Sequence, residues 1–70
     1  MPESVYTVVE LVGTSTTSWE DAAKNAVERA SQSLRDLRVA EVAKLDIALD
    51  NGKMTYRAKL NVSFKYEGGG

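Results

Sequence analysis

Val5 to Val12 reads V-Y-T-V-V-E-L-V, a β-branched, aromatic and apolar run that suits a strand. Gly13-Thr14-Ser15-Thr16-Thr17-Ser18 follows and breaks it with turn-forming residues. From there the apolar period lengthens. Trp19, Ala22, Ala23, Ala26, Val27, Ala30 and Leu34 recur at helical spacing, with Lys24, Asn25, Glu28, Arg29, Gln32 and Arg35 on the other side. The spacing predicts an amphipathic helix of about 17 residues, Trp19 to Arg35. Ser18 is its expected N-cap, Asp21 reaches back toward the cap, and Glu20 and Asp21 place negative charge where the helix dipole favours it. Arg35 suits the other end. The helix's apolar face is mostly alanine, so it can lie close against whatever it covers.

From Val39 the period falls to two. Val39, Ala43, Leu45, Ile47 and Leu49 are expected on one side of a strand, and Ala40, Val42, Lys44, Asp46 and Ala48 on the other, with Glu41 interrupting the apolar side. Asn51-Gly52 between two alternating runs is a strong hairpin signal. On the return, Met54, Tyr56, Ala58, Leu60, Val62, Phe64 and Tyr66 alternate with Thr55, Arg57, Lys59, Asn61, Ser63 and Lys65. With the turn at Asn51-Gly52, Asp46 falls opposite Arg57, Lys44 opposite Lys59, Leu45 opposite Ala58, Ile47 opposite Tyr56 and Leu49 opposite Met54. One hairpin face is then continuously apolar and should take the helix. The other is polar without being highly charged, and reads as partly buried between subunits. The expected fold is α+β, in the order β-α-β-β: a three-stranded antiparallel sheet covered by one amphipathic helix. If the first strand pairs with the third, the first and second run parallel, joined by a right-handed crossover.

Seventy residues allow a single domain, expected over 1–67 with a flexible glycine tail at 68–70. So small a domain buries only about 60% of its unfolded surface. Such folds usually gain stability from disulfides, a metal or a partner. The chain has no cysteine and no histidine, which removes disulfides and makes a structural zinc site implausible. Self-association is the remaining common route. Nine Lys and Arg stand against ten Asp and Glu, so no basic excess points to nucleic acid. No apolar run approaches a membrane span, and the start of the chain does not have the pattern of a signal peptide. A cytoplasmic protein is the expectation.

The catalytic inventory is thin. There is no Cys or His, no serine or threonine has an evident base partner, and the carboxylates are scattered. Gly13 stands alone, and Gly52 belongs to the hairpin, so no phosphate loop is present. The chain reads as non-enzymatic. Val12-Gly13-Thr14-Ser15, leading into a helix N-terminus, reads first as a turn with a cap and second as an anion site. Trp19 reads first as core or interface and second as a stacking platform.

In order and spacing, several segments together resemble the dodecin family. They are Val9-Glu10-Leu11-Val12-Gly13-Thr14-Ser15, Ala26 to Ala30, Ser33-Leu34-Arg35-Asp36-Leu37, Glu41-Val42, and Tyr56 with Leu60-Asn61-Val62-Ser63-Phe64. The resemblance covers about residues 5 to 67. It implies a hollow homododecamer that stores or sequesters small ligands, with two flavin rings stacked in each pocket in many members. In those members the stacking residue is a tryptophan of the second strand, and a glutamine of the third strand contacts the ring. The matching positions here are Val39 and Arg57. Arg57 can favour an anionic ligand or pair with Asp46. Val39, together with Thr17-Ser18-Trp19-Glu20 and Arg38-Val39-Ala40, resembles the subgroup of dodecins described as calcium-binding. Calcium takes six to eight hard oxygens. Asp46, Asp50, Glu41 and Asp36 are candidate ligands by chemistry, against a plainer reading as solvated or salt-bridged carboxylates. One subunit offers no calcium-binding loop, so a site would form at a symmetry axis or use carbonyls. The resemblance thus implies a self-assembled shell holding a cation or small anion, with flavin (FMN or riboflavin) weakly held. The alternatives are a flavin dodecin with a divergent pocket, and a structural assembly without a small ligand.

Overall fold

The computed structural model describes residues 5–65. The expected domain end, the facing of Tyr66 and the glycine tail lie outside the described residues. The elements are β1 (Tyr6–Ser15), α1 (Trp19–Ser31), β2 (Leu37–Asp50) and β3 (Lys53–Lys65). The sheet has the order β1-β3-β2, with both neighbouring pairs antiparallel, as the sequence predicts. The molecule is elongated. Its radius of gyration is 14.4 Å, against about 11 Å for a compact domain of this length.

At the tip, Asn51 (φ 50°) and Gly52 (φ 79°) both take left-handed backbone. That is the conformation a two-residue hairpin turn needs to match strand twist. The pairing from Asp50↔Lys53 to Lys44↔Lys59 is the one the turn predicts. Beyond Lys44 the register shifts, leaving Ala43 as an extra residue, and it shifts again at Arg38. Each bulge reverses the facing of the residues beyond it. Ala40 and Val42 therefore lie opposite Val62 and Leu60 on the helix side, while Val39 and Glu41 lie opposite Ser63 and Asn61 on the outer side. This corrects the expectation that Val39 shares a face with Leu45 and that Ala40 and Val42 share one with Lys44. The bulge also accounts for Glu41, which no longer interrupts an apolar side.

The helix is shorter than predicted, ending at Ser31 with Gln32 as its C-cap. The Ser31 hydroxyl donates to the Glu28 carbonyl at 2.8 Å. The Ala30 carbonyl accepts from the N–H groups of Ser33 (3.0 Å) and Leu34 (2.8 Å), closing a tight turn. Ser31 and Ser33, whose hydroxyls compete for backbone hydrogen bonds, flank the point where the helix gives way. Arg29, not Arg35, is the basic residue of the last turn. At the start, the Ser18 hydroxyl accepts from the Asp21 N–H at 3.0 Å, as expected of the cap. Asp21 does not reach back directly. Its carboxylate accepts the Ser15 hydroxyl at 2.7 Å, and the Ser15 oxygen accepts the N–H groups of Thr17 (2.9 Å) and Ser18 (3.4 Å). The cap closes through Ser15, which is buried and fully used. The turn-and-cap reading of this segment is the one the structure supports.

The core is small: Ala22, Ala26, Ala30, Ala58, Leu60 and Val62. Fully burying Leu60 and Val62 contributes about 1.5–3 kcal/mol each. The alanines act by closeness rather than size. A β-carbon on Gly13 would collide with the Ala22 carbonyl and stand 2.8 Å from the Ala26 β-carbon, so this glycine lets the helix press onto β1. The helix covers β1 and β3 but barely touches β2. The expectation that the whole apolar hairpin face takes the helix is thus met only in part.

Candidate functional site

The outer face of the sheet, away from the helix, gathers the chain's charged chemistry. Its centre is Arg57 on β3. The guanidinium donates from Nε to Asp46 Oδ1 at 2.7 Å and from Nη2 to Asp46 Oδ2 at 2.8 Å, a two-point grip. These hydrogen bonds hold the Asp46 carboxyl below its usual range, with a lesser contribution from the charge of Lys44, and raise the pKa of Arg57. The cross-strand register places the two side chains opposite each other, so the pair follows from the hairpin turn. Next to it, Lys59 Nζ lies 3.3 Å from Glu10 Oε2 of β1. Lys44 is opposite Lys59, a like-charge pairing that these carboxylates offset. With Val12, these residues line a cleft of about 220 Å³ holding three cations and two carboxylates.

Farther along this face, Asn61 Nδ2 donates to Glu41 Oε1 at 3.5 Å, and the Ser63 hydroxyl donates to the Val39 carbonyl at 3.4 Å. The Val39 side chain is exposed. The positions that the resemblance assigns to a flavin ring therefore present an isopropyl group and a guanidinium already committed to Asp46. The isopropyl group offers no ring to stack on, and the guanidinium plane is held in place by the Asp46 carboxylate.

The four candidate metal carboxylates are not brought together. Asp36 and Asp50 sit at opposite ends of β2, which is some 40 Å long by strand rise. Asp36 has left-handed backbone (φ 58°), and its carbonyl accepts the Lys65 N–H at 3.3 Å. Asp50 closes the hairpin opposite Lys53. Glu41 and Asp46 share the outer face, but both Asp46 oxygens serve Arg57. Among the described residues no group of three or more acidic side chains is placed to hold a metal ion.

Trp19 belongs to the scaffold. Its indole N–H donates to the Asp46 carbonyl at 3.0 Å, and its ring meets Tyr56 edge-on, with centroids 5.1 Å apart. Asp46 is thus held on both sides of the sheet, by Trp19 through its backbone and by Arg57 through its side chain. Sequence reasoning missed Lys44, Lys59 and Glu10 as cleft residues. The lysine pairing was legible from the turn; Glu10 needed the β1–β3 register. Among the described residues no helix is long and apolar enough to cross a membrane.

Comparison with known proteins agrees with this architecture. The chain is 59% identical over 63 residues to the calcium dodecin of Mycobacterium tuberculosis, 89% of each chain being covered. A crystal structure of that protein, described as calcium-chelating with a novel calcium-binding site, superposes with a TM-score of 0.83 at 57% identity, covering 91% of this chain and 93% of that one. The dodecin of Streptomyces coelicolor gives a TM-score of 0.88 at 36% identity, covering 97% and 99%. The Dodecin family model matches residues 5–67, and the chain belongs to the dodecin family.

Proposed function

We propose that copies of this chain assemble into a hollow shell, a homododecamer, that holds small ligands without transforming them, and that a cation such as calcium is preferred over stacked flavin. The observation that carries the assembly is the imbalance between core and surface. Among the described residues, six small and medium side chains form the core, while ten large apolar side chains, among them Val8, Val12, Val39, Leu45 and Leu49, stay exposed in the single chain. A core this small is marginal alone. The preference for calcium is supported by the likeness to the mycobacterial calcium dodecin. Since the described residues of one chain gather no cluster of acidic groups, the oxygens are drawn from more than one copy, with Glu41, Asp36 and Asp50 the candidates not already held by an arginine. The net positive cleft at Lys44, Lys59 and Arg57 favours a small anion as a second cargo.

Native mass spectrometry of the purified protein tests both parts. The expected result is a particle of about twelve times 7.6 kDa that gains calcium-sized mass increments when calcium is added. A monomer or dimer overturns the shell. Sub-micromolar riboflavin binding, or a yellow preparation, overturns the preference against flavin.

A further inference from the structure

Asn51 and Gly52 do more than turn the chain. They set a side-chain amide beside a main-chain nitrogen that no element protects. Both residues lie beyond the last ladder pair, Asp50↔Lys53, so the Gly52 N–H takes no part in the β2–β3 ladder. Both are exposed. A β-carbon built on Gly52 would meet nothing within 4 Å, so this nitrogen is open on its glycine side as well. The chain's other two asparagines, Asn25 and Asn61, are placed differently. Asn25 lies within α1, its amide donates to the Thr14 carbonyl at 3.0 Å, and the next residue, Ala26, is buried. Asn61 lies in the central strand β3, its amide donates to Glu41 Oε1 at 3.5 Å, and the next residue, Val62, is fully buried. At both, the following nitrogen belongs to a helix or a sheet and reacts only when that element opens locally.

We infer that Asn51 is a site of spontaneous covalent modification, converting to aspartate and isoaspartate through a cyclic imide. The Gly52 nitrogen gives up its proton and attacks Asn51 Cγ. The bond from Cγ to the side-chain nitrogen breaks, and that nitrogen leaves as ammonia with the proton. Water then opens the five-membered ring. Attack at Cγ returns the normal backbone with an aspartate side chain. Attack at the main-chain carbonyl carbon routes the backbone through Cγ and gives isoaspartate. The rotation that brings the nitrogen onto Cγ is confined to the turn, where glycine resists it least. Either product adds one negative charge beside Asp50, on a chain whose formal net charge is −1. Isoaspartate also adds a carbon to the main chain of a two-residue turn that relies on left-handed backbone at Asn51 (φ 50°). The Asp50↔Lys53 pair then loosens, while pairs nearer the sheet centre hold.

The full chain, freshly purified, is incubated in neutral and in mildly alkaline buffer. Proteolytic peptides are followed by mass for amide-to-acid exchange, and isoaspartate is labelled with an isoaspartyl methyltransferase. Asn51 should change first, at least about tenfold faster than Asn25 or Asn61, because those two wait on local opening. The rate should rise with pH, since the attacking nitrogen must lose its proton. The label should appear on the Asn51 peptide and be absent from Asn51→Gly, which keeps a turn-forming pair without the amide. Earlier change at Asn25 or Asn61, or equal labelling of Asn51→Gly, would overturn the assignment. So would an unchanged Asn51 in the folded chain under conditions where a free peptide spanning Ala48 to Thr55 converts, because the folded turn would then be shielding the amide. Amide exchange separates the two products. The isoaspartate form should exchange faster than wild type at Asp50 and Lys53. Freshly made Asn51→Asp, with the charge but not the added carbon, should exchange as wild type does. Equal exchange in all three would overturn the loosening of the tip.

Discussion

Arg57 and Asp46 face each other across the hairpin and share two hydrogen bonds of 2.7 and 2.8 Å. The grip makes Asp46 a stronger acid in the folded chain than in the unfolded one. Below its ordinary pKa, near 3.9, the unfolded carboxyl takes up a proton before the folded one does. The pair's stabilisation is thus fully present above that value and is lost as pH falls through the lower, folded pKa. In acid titrations followed by circular dichroism, Asp46→Asn should flatten the stability of the particle over this window relative to wild type. Because the pair is solvent-exposed, salt should flatten it too. An unchanged acid limb would show that the pair does not hold in solution.

The same grip bears on what the outer face can hold. Changing Arg57 alone to glutamine should do little for flavin, since Val39 still offers no ring to stack on. Val39→Trp with Arg57→Gln supplies both contacts. A stack contributes roughly 1–3 kcal/mol, so the double variant should bind riboflavin at least about fivefold tighter than wild type, read by fluorescence quenching. Equal quenching by wild type and double variant would mean that these positions do not line the ligand site.

Gly13 bears on the helix rather than the ligand. Its missing side chain is where the Ala22 carbonyl and the Ala26 methyl lie. Gly13→Ala forces backbone apart, which no rotamer change can relieve, and should cost at least about 2 kcal/mol. For a domain of this size that is a fall in Tm of roughly 10 °C, compared at matched chain concentration because assembly also stabilises. Thr14→Ala, one residue on and exposed on the outer side, should change Tm little.

Much of the fold was legible because local chemistry dictates it. Asn51-Gly52 set the turn and with it the pairing of Asp46 with Arg57, and Ser18 set the start of the helix. The places where sequence reasoning failed share a cause: a residue whose position depends on a distant partner. Strict alternation through β2 put Val39 beside Leu45, although Glu41 on the supposed apolar side already signalled that the alternation breaks between them. The helix end at Ser31 depends on the Ala30 carbonyl finding Ser33 and Leu34, which helical periodicity does not register. The role of Asp21 needed Ser15 to be folded back beside the helix start. The candidate site divided in the same way. Its cross-strand contacts within the hairpin followed from the turn, whereas Glu10 required a strand from the other end of the chain. Asp36, Asp50 and Glu41 were alike by composition and are far apart by topology.

The bulge at Ala43 is what sets the facing of β2, and deletions test it. Removing Ala43 would let Val42 pair with Leu60 and Lys44 with Lys59 in unbroken register, so no side chain changes face and only the local twist is lost. Removing Ala48, five residues nearer the turn, makes a different chain. With the tip pairs held, Ile47 and Leu45 would turn outward, and Asp46 and Lys44 would turn inward against Tyr56 and Ala58, until the spare residue at position 43 absorbed the slip. That turns two charged side chains toward the helix side and turns two large aliphatic side chains, already partly exposed in the single chain, away from it. The Ala43 deletion should therefore fold with a Tm within a few degrees of wild type, and the Ala48 deletion should not yield a cooperatively folded protein. Both are read by thermal melts followed by circular dichroism. Comparable melts for the two deletions would mean that the facing of β2 is not set by this bulge.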